Sequence, residues 1–303
     1  MTRLGIKIDG RPSEDLLELA TLAESAHFDE LWVCEDLGLA GGVAQVSAAL
    51  ARTDRIQIGL GVAPAAVRNA MYLAMEFASV TRMFPGRFHA GIGHGVPEWL
   101  DKVGQRPSSL MGCLSEVTEA IQALLNGHHV TRAGRHVNLR DVALTHPPVT
   151  APRLNLGVRG PKGIELCARL GIGPILAEGS TPDYIAAVRR VIGPDLHITV
   201  FVWAHLAPDD ADLAREELLL TTRRALRDPD LSAQLGDLFG TTDEQRGLEE
   251  LCVAGDVAAC IHAIRRLEQS GADSVVLQPI RGREEEQIHL IGRLLIPALR
   301  GSI

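Results

Sequence analysis

Eight short apolar runs, each tied to a stretch of helical periodicity, constrain this chain more than any other feature of its sequence. The runs are Leu4–Asp9, Leu31–Glu35, Ile56–Val62, Phe88–Ile92, Leu154–Val158, Pro174–Ala177, His197–His205 and Asp273–Gln278. Each has the length of a strand, and near-continuous apolarity is what a strand covered on both faces requires. Helical patterns lie between and after them: Glu14–Ala26, Val43–Ala51, Asn69–Met83, the stretch SEVTEAIQALLNG, the stretch after Pro161, Asp183–Val191, Ala211–Leu226, Val257–Ser270 and Glu284–Leu299. Local signals agree, with Ser13 an N-cap after Pro12, Gly127 closing the fourth helix and Ser180 or Thr181 capping the sixth. Eight such units with no shift in composition predict an α/β chain folded as a (β/α)8 TIM barrel, one domain over residues 1–303. A doubly wound open sheet fits less well, because no G-x-G-x-x-G follows the first strand. Insertions are expected near 128–152, with a hairpin turning at Ala133-Gly134, and near 227–255, where Leu231–Leu251 reads as helical.

Composition removes several classes of function. The net charge is −8, with no basic tail and no interleaving of basic and aromatic residues, so nucleic acid is not an expected partner. No apolar run reaches the ~18 residues of a membrane span. The N-terminal MTRLGIKIDG lacks the apolar core of a signal peptide. The five cysteines show no C-x-x-C spacing and read as reduced, buried thiols, which implies a cytoplasmic location. Eleven histidines include no H-E-x-x-H, and no metal site is expected.

The stretch LNLGVRGPKG, Leu154 to Gly163, carries the first hint of chemistry. An apolar strand ends at Gly157, Gly160 turns the chain, and Pro161 suits the first helical position, where its missing N–H costs nothing. The free N–H groups of that helix start favour an anion, and Arg159 and Lys162 add positive charge. The functional reading is a cradle for a cofactor phosphate; the alternative is an ordinary loop with two solvated cations. In a barrel, chemistry sits at the C-terminal ends of strands. Here those ends are Asp9-Gly10, Glu35-Asp36, Gly61-Val62-Ala63, Gly93-His94-Gly95, Arg159-Gly160, Glu178-Gly179, His205 and Gln278-Pro279. Glycines at neighbouring ends leave room for a flat ring against backbone.

These pieces together resemble the bacterial luciferase-like monooxygenase superfamily, in particular its coenzyme F420-dependent oxidoreductases of the methylenetetrahydromethanopterin reductase type. The resemblance is carried by LWVCEDL, IQIGLGVAP, PGRFHAGIGHGVPEW, VRGPKGIELCARLGIGPILAEG and VAGDVAACIHAIRRLEQSGADSVVLQP, in that order along the chain. It implies an insertion-modified barrel, a homodimer, and a non-prolyl cis bond or bulge at Gly61-Val62. It implies a cofactor site built from Asp9, Gly61, Val62, Ala63, Gly93, His94, Gly95, Gly157, Val158, Arg159, Gly160, Pro161, Lys162, Glu178 and Gly179. The cofactor implied is coenzyme F420, with FMN as the alternative, and the G-P-K form of the loop favours F420. The activity implied is hydride transfer between the deazaflavin and a small organic substrate, as in reduction of a C=C or C=N bond. The alternatives are an FMN-dependent monooxygenase and a catalytically silent relative that only binds a cofactor or ligand.

One departure from the family pattern matters. Many relatives have a histidine after strand two, where this sequence has Glu35-Asp36. Either Asp36 replaces the imidazole as proton donor, held protonated by the repulsion of Glu35 beside it, or it only touches substrate and the proton comes from water. His94 is the other candidate acid. Glu35 has the further option of pairing with a nearby cation. Trp99, Trp203 and His205 are candidate substrate contacts; Trp203 has core packing as its alternative.

Overall fold

The computed structural model describes residues 2–227 and 250–301. The strands, in chain order, are β1 (Arg3–Ile8), β2 (Glu30–Val33), β3 (Gln57–Pro64), β4 (Phe88–Gly93), β5 (Val130–Ala133), β6 (Asn138–Val142), β7 (Arg153–Gly157), β8 (Gly173–Leu176), β9 (Thr199–Leu206), β10 (Cys252–Gly255) and β11 (Ser274–Pro279). Eight of them close a parallel barrel in the order β1-β2-β3-β4-β7-β8-β9-β11, with β11 pairing back to β1. This is the (β/α)8 barrel expected from the alternating pattern. The hairpin β5–β6 is antiparallel, with the Gly134 N–H donating to the Val137 carbonyl, as the insertion near Ala133-Gly134 suggested.

β10 is an addition the sequence did not announce. β8 pairs with only the first two residues of β9, and β10 pairs with its last four, Cys252 opposite Trp203 through Gly255 opposite Leu206. Its four residues are too short to carry a periodic signal. The expected helix over Leu231–Leu251 lies outside the described residues except for its last two positions. The final helix runs Glu284–Arg300 but widens to a π-turn over Ile291–Leu295. Pro297 lies just beyond and cannot donate a backbone hydrogen bond, which favours a local change of pitch there.

The barrel interior is layered by the alternation of side chains along each strand. Trp32, Ile175, Phe201 and Val276 fill an apolar layer, with Val62 against it. Trp32 and Phe201 meet edge to face at 5.4 Å between ring centres. Below this layer the interior is polar. The fully buried Glu30 accepts hydrogen bonds from Trp32 Nε1 (2.8 Å), Ser274 Oγ (2.9 Å) and Arg153 Nη2 (3.3 Å). The apolar layer is therefore the floor of whatever opens above it. All five cysteines are buried.

β3 ends in a distortion that shapes that floor. Its register with β4 runs Leu60 opposite Ala90, then Ala63 opposite Ile92, so β3 carries one extra residue. The Gly61-Val62 bond is cis, in agreement with the sequence resemblance. Val62 turns its methyl groups towards β4 and β7. A Cβ at Gly93 would sit 2.4 Å from Val62 Cγ2, and one at Gly157 2.7 Å from Val62 Cγ1. These two glycines are thus required by packing as well as by space.

Candidate active site

The C-terminal ends of the barrel strands enclose a cleft of about 420 Å³. Its floor is Gly61, Val62, Ile175 and Phe201, and Gly93 and Gly157 leave its sides flat. Lys7, Asp36 and Glu178 make part of its lining polar, and Arg159 and Gly160, at the start of a helix, lie beside Glu178. That helix, α6 (Pro161–Leu170), is sixth in the chain after Asp15–Ser25, Gly42–Arg52, Ala70–Met83, Pro97–Lys102 and Leu110–Leu125, which are α1 to α5. Gly160 is its N-cap and offers no side chain to cap it, while Pro161 occupies the first turn. By contrast Asn69, Ser109 and Thr181 cap their own helices through side-chain oxygens. The start of α6 is left able to receive an acceptor from outside the chain.

Lys7 organises the polar part. Its Nζ donates to Glu178 Oε1 (2.6 Å) and Gln278 Oε1 (3.1 Å), and lies 3.4 Å from Asp9 Oδ2. It also stands 5.2 Å above the Phe201 ring. Burial works against the ammonium, but Cys34, Glu178 and Asp9 outweigh it and hold its pKa well above the usual range. Burial likewise pushes the Cys34 thiol up to about 12, so near neutral pH the carboxylates are the groups that act on Lys7. Burial would raise Glu178, yet Lys7 prevails and holds it below the ordinary range.

Asp36 differs from its neighbours. Burial pushes its carboxyl up, Lys7 pulls against that, and Asp9 and Glu178 add to the rise. The source of the shift corrects the expectation from sequence: adjacent Glu35 does not supply it. Glu35 turns away and is gripped through both oxygens by Arg68, at 2.8 Å from Nη1 to Oε2 and by a second bond from Nη2 to Oε1. Glu35 is the partner of a cation, one of the alternatives the sequence left open. His94 Nδ1 lies 2.6 Å from the Gly95 carbonyl, which can only accept, so Nδ1 carries the proton. In the neutral ring Nε2 is then an acceptor; donating from it requires the imidazolium.

Of the residues singled out from sequence, Glu35, Asp36, Gly61, Val62, Gly93, His94, Gly95, Trp99, Gly157, Val158, Arg159, Gly160 and Glu178 line the cleft. Asp9 stands behind it, held by Gln278 Nε2 at 2.9 Å. Ala63 is buried in the wall. Pro161 and Lys162 are exposed beyond the rim, and Gly179 is buried beneath it. Arg159 lines the cleft and donates from Nη2 to the Glu178 carbonyl at 2.5 Å. Trp203 and His205 do not reach the cleft. Trp203 packs on Leu218, Leu251 and Cys252, which is its core alternative. His205 is buried, with Nε2 3.2 Å from Glu217 Oε2. Lys7, Phe201 and Arg68 were missed. The one available signal for Lys7 was a cation between Ile6 and Ile8 in a buried strand.

A cleft at the strand ends of a (β/α)8 barrel, lined by a flat apolar floor, an uncapped helix start and a shifted carboxyl, suits a ring-bearing, anionic cofactor. The residues present fit a flavin or deazaflavin: the glycines give a flat face, and the uncapped helix start would suit a phosphate. Residues 5–274 match the family model described as luciferase-like monooxygenase, and the chain belongs to that family, one of oxidoreductases. It is 21% identical over 318 residues to 5,10-methylenetetrahydromethanopterin reductase of Methanolobus tindarius, covering 94% of this chain and 97% of that one. It is 28% identical over 278 residues to F420-dependent glucose-6-phosphate dehydrogenase of Beutenbergia cavernae, covering 82% and 77%. It is 25% identical over 325 residues to 4-hydroxyprotoasukamycin monooxygenase of Streptomyces nodosus subsp. asukaensis, covering 95% and 87%. Among solved structures, the coenzyme F420-dependent tetrahydromethanopterin reductase of Methanopyrus kandleri superposes with a TM-score of 0.83 at 19% identity, over 98% of this chain and 99% of that one. Among the described residues no helix is long and apolar enough to cross a membrane. Nor do three or more His, Cys, Asp or Glu side chains gather as a metal would need.

Proposed function

We propose that this protein is a coenzyme F420-dependent oxidoreductase that reduces a C=C or C=N bond of a small organic substrate. The observation that carries the reading is the flat cleft over Val62, with Gly93 and Gly157 beside it and the uncapped start of α6 at its end. When bound, the deazaflavin supplies or accepts a hydride. Everything else falls to the chain. Val62, Ile175 and Phe201 back the ring and keep water from that face. Gly160 and the first turn of α6 hold the phosphate, with Arg159 at the same end and Lys162 contributing charge from outside the rim. Lys7 and Glu178 fix the polar edge through their 2.6 Å bond.

Asp36 gives the proton that reduction of a double bond requires. Its carboxyl carries no hydrogen bond from another side chain among the described residues, and burial, with Asp9 and Glu178 beside it, raises its pKa and so favours the protonated form over that of an ordinary aspartate. Glu35 is held by Arg68 and positions the loop rather than transferring a proton. The relationship to the F420-dependent dehydrogenase supports F420 over FMN. The relationship to the monooxygenase favours FMN and oxygen chemistry as the second reading. Fluorescence titration with F420 and, separately, with FMN distinguishes them: tighter binding of F420 is expected, and tighter binding of FMN would move the assignment to the second reading. The protein further acts as a cytoplasmic homodimer on this reading. Its five buried cysteines suit a reducing compartment, and exposed Tyr72, Met75 and Met83 form a stripe on α3 for a second copy.

A further inference from the structure

A second cavity of about 570 Å³ opens off the cleft and shares Asp36, Glu35, Pro64, Gly95, Val96 and Trp99 with it. Its own walls are Leu37, Leu39, Val67, Leu100 and Val103, from the loop after β2, the loop after β3 and the segment around α4. Leu37, Leu39 and Val103 are each between 45% and 46% exposed, which is costly for side chains of this type unless something apolar covers them. The volume lies within the range of small-molecule pockets.

Charge restricts what can enter. Arg68 is the one cation in this lining among the described residues. Both its terminal nitrogens are committed to Glu35, and its Nε lies 3.4 Å from Glu76 Oε2. An anionic substrate would meet Asp36 at the inner end, and the one cation in the lobe's lining, Arg68, already has two carboxylates on it. Truncated contacts of that kind reject charged ligands strongly, because a desolvated charge without a partner is expensive.

Resting on the reading of the cleft as the cofactor site, we propose that this second cavity is the substrate lobe, and that it takes an uncharged, largely apolar molecule with its reducible bond at the Asp36 end. A sugar phosphate or a free carboxylate is excluded. The side of the lobe formed by Leu37, Leu39 and Val103 sets specificity, while the cofactor cleft does not include those residues.

The test uses a matched pair of probes, methyl cinnamate and cinnamate, with glucose 6-phosphate as the third, titrated by calorimetry into protein saturated with F420. The ester is expected to bind at least tenfold more tightly than either anion. Val103→Asp and Leu39→Asp, both at exposed positions, are expected to weaken the ester at least tenfold and leave the F420 dissociation constant unchanged. Equal or tighter binding of an anion, or no binding of the ester, would overturn the assignment. So would an Asp variant that leaves ester binding intact but splits a dimer in sedimentation, which would make the apolar wall an interface between copies. Failure of F420 to bind would overturn the preceding reading alone; the ester–acid comparison, repeated on protein without cofactor, still decides the lobe.

Discussion

Replacing Lys7 with Met tests whether the polar part of the cleft works as a charge cluster. The substitution keeps the length of the side chain and removes the ammonium. Glu178 Oε1 loses a 2.6 Å charged hydrogen bond, Asp9 loses a cation 3.4 Å away, and Gln278 Oε1 loses a donor at 3.1 Å. The side chains of Lys7, Asp9 and Glu178 are only 9%, 16% and 15% exposed, so solvent screens little of this. Asp9 keeps Gln278, and Glu178 keeps the more distant attraction of Arg159. Removing one member of a buried pair typically costs about 3–5 kcal/mol. At roughly 2 °C per kcal/mol for a chain of this size, the melting temperature at pH 7 should fall by about 6–10 °C.

The pH dependence of that loss has a definite sign. Glu178 has a depressed folded pKa, so its pairing stabilises the protein above its unfolded pKa, about 4.3, and is lost as pH falls through the folded value. The gap between wild type and Lys7→Met is therefore widest near neutrality and narrows as pH falls below about 4.3 towards the depressed folded value. Lys7 itself has a raised pKa, so its contribution is complete below about 10.4 and disappears only at higher pH. Because Lys7 holds Asp36 down, its loss should also move any Asp36-dependent limb of the rate profile to higher pH. Melting scans from pH 3 to 9, with Glu178→Gln and the double variant completing a cycle, measure the coupling. A drop within 1 kcal/mol of zero, or a gap that does not narrow in acid, would refute the cluster.

Further outcomes follow from the same geometry. Asp36→Asn should lower kcat by about 10²–10⁴-fold with cofactor affinity intact, and should remove the limb on which rate falls as pH rises. It should also make the apo protein more stable at pH 7, since ionising a carboxyl whose folded pKa is raised costs stability there; the advantage disappears as pH falls below its unfolded pKa of about 3.9. Arg159→Ala should weaken F420 binding more than Lys162→Ala, because Arg159 lines the cleft and Lys162 does not; the reverse order would place the phosphate outside the rim. Met75→Asp, in the exposed stripe of α3, should convert a dimer to monomer in sedimentation velocity, and no change would remove that face as the interface.

How much of this could be read from sequence depends on the length scale of each signal. Strand and helix identity came through because apolarity and 3.6-residue periodicity repeat over five or more residues, as in Leu154–Val158 and Asn69–Met83. The glycines at the strand ends were legible as a group, although the reason for Gly93 and Gly157, the Val62 methyl groups, depends on a bulge that joins three strands. What stayed hidden is set by long-range pairing. Glu35 and Arg68 are 33 residues apart, and Lys7 and Glu178 are 171 apart. Nothing local in ED or KID says which carboxylate finds a cation and which is left to desolvation. Trp203 and His205 share a face with Phe201, as alternation required, but the cleft closes at Phe201 and they lie past it, where β10 covers β9.

The central claim is that F420 lies on the floor between β3, β4 and β7, below Ala177 at the end of β8. Ala177 lines the cleft and is half-buried, so Ala177→Trp fills the cavity without cutting into the core. Fluorescence titration of F420 against both proteins, with melting temperatures measured in parallel, is the direct test. The account expects saturable binding to the wild type, at least tenfold weaker binding to Ala177→Trp, and melting temperatures within about 2 °C of each other, less than 1 kcal/mol apart. Equal affinity in the two proteins, or no F420 binding to the wild type, would contradict it.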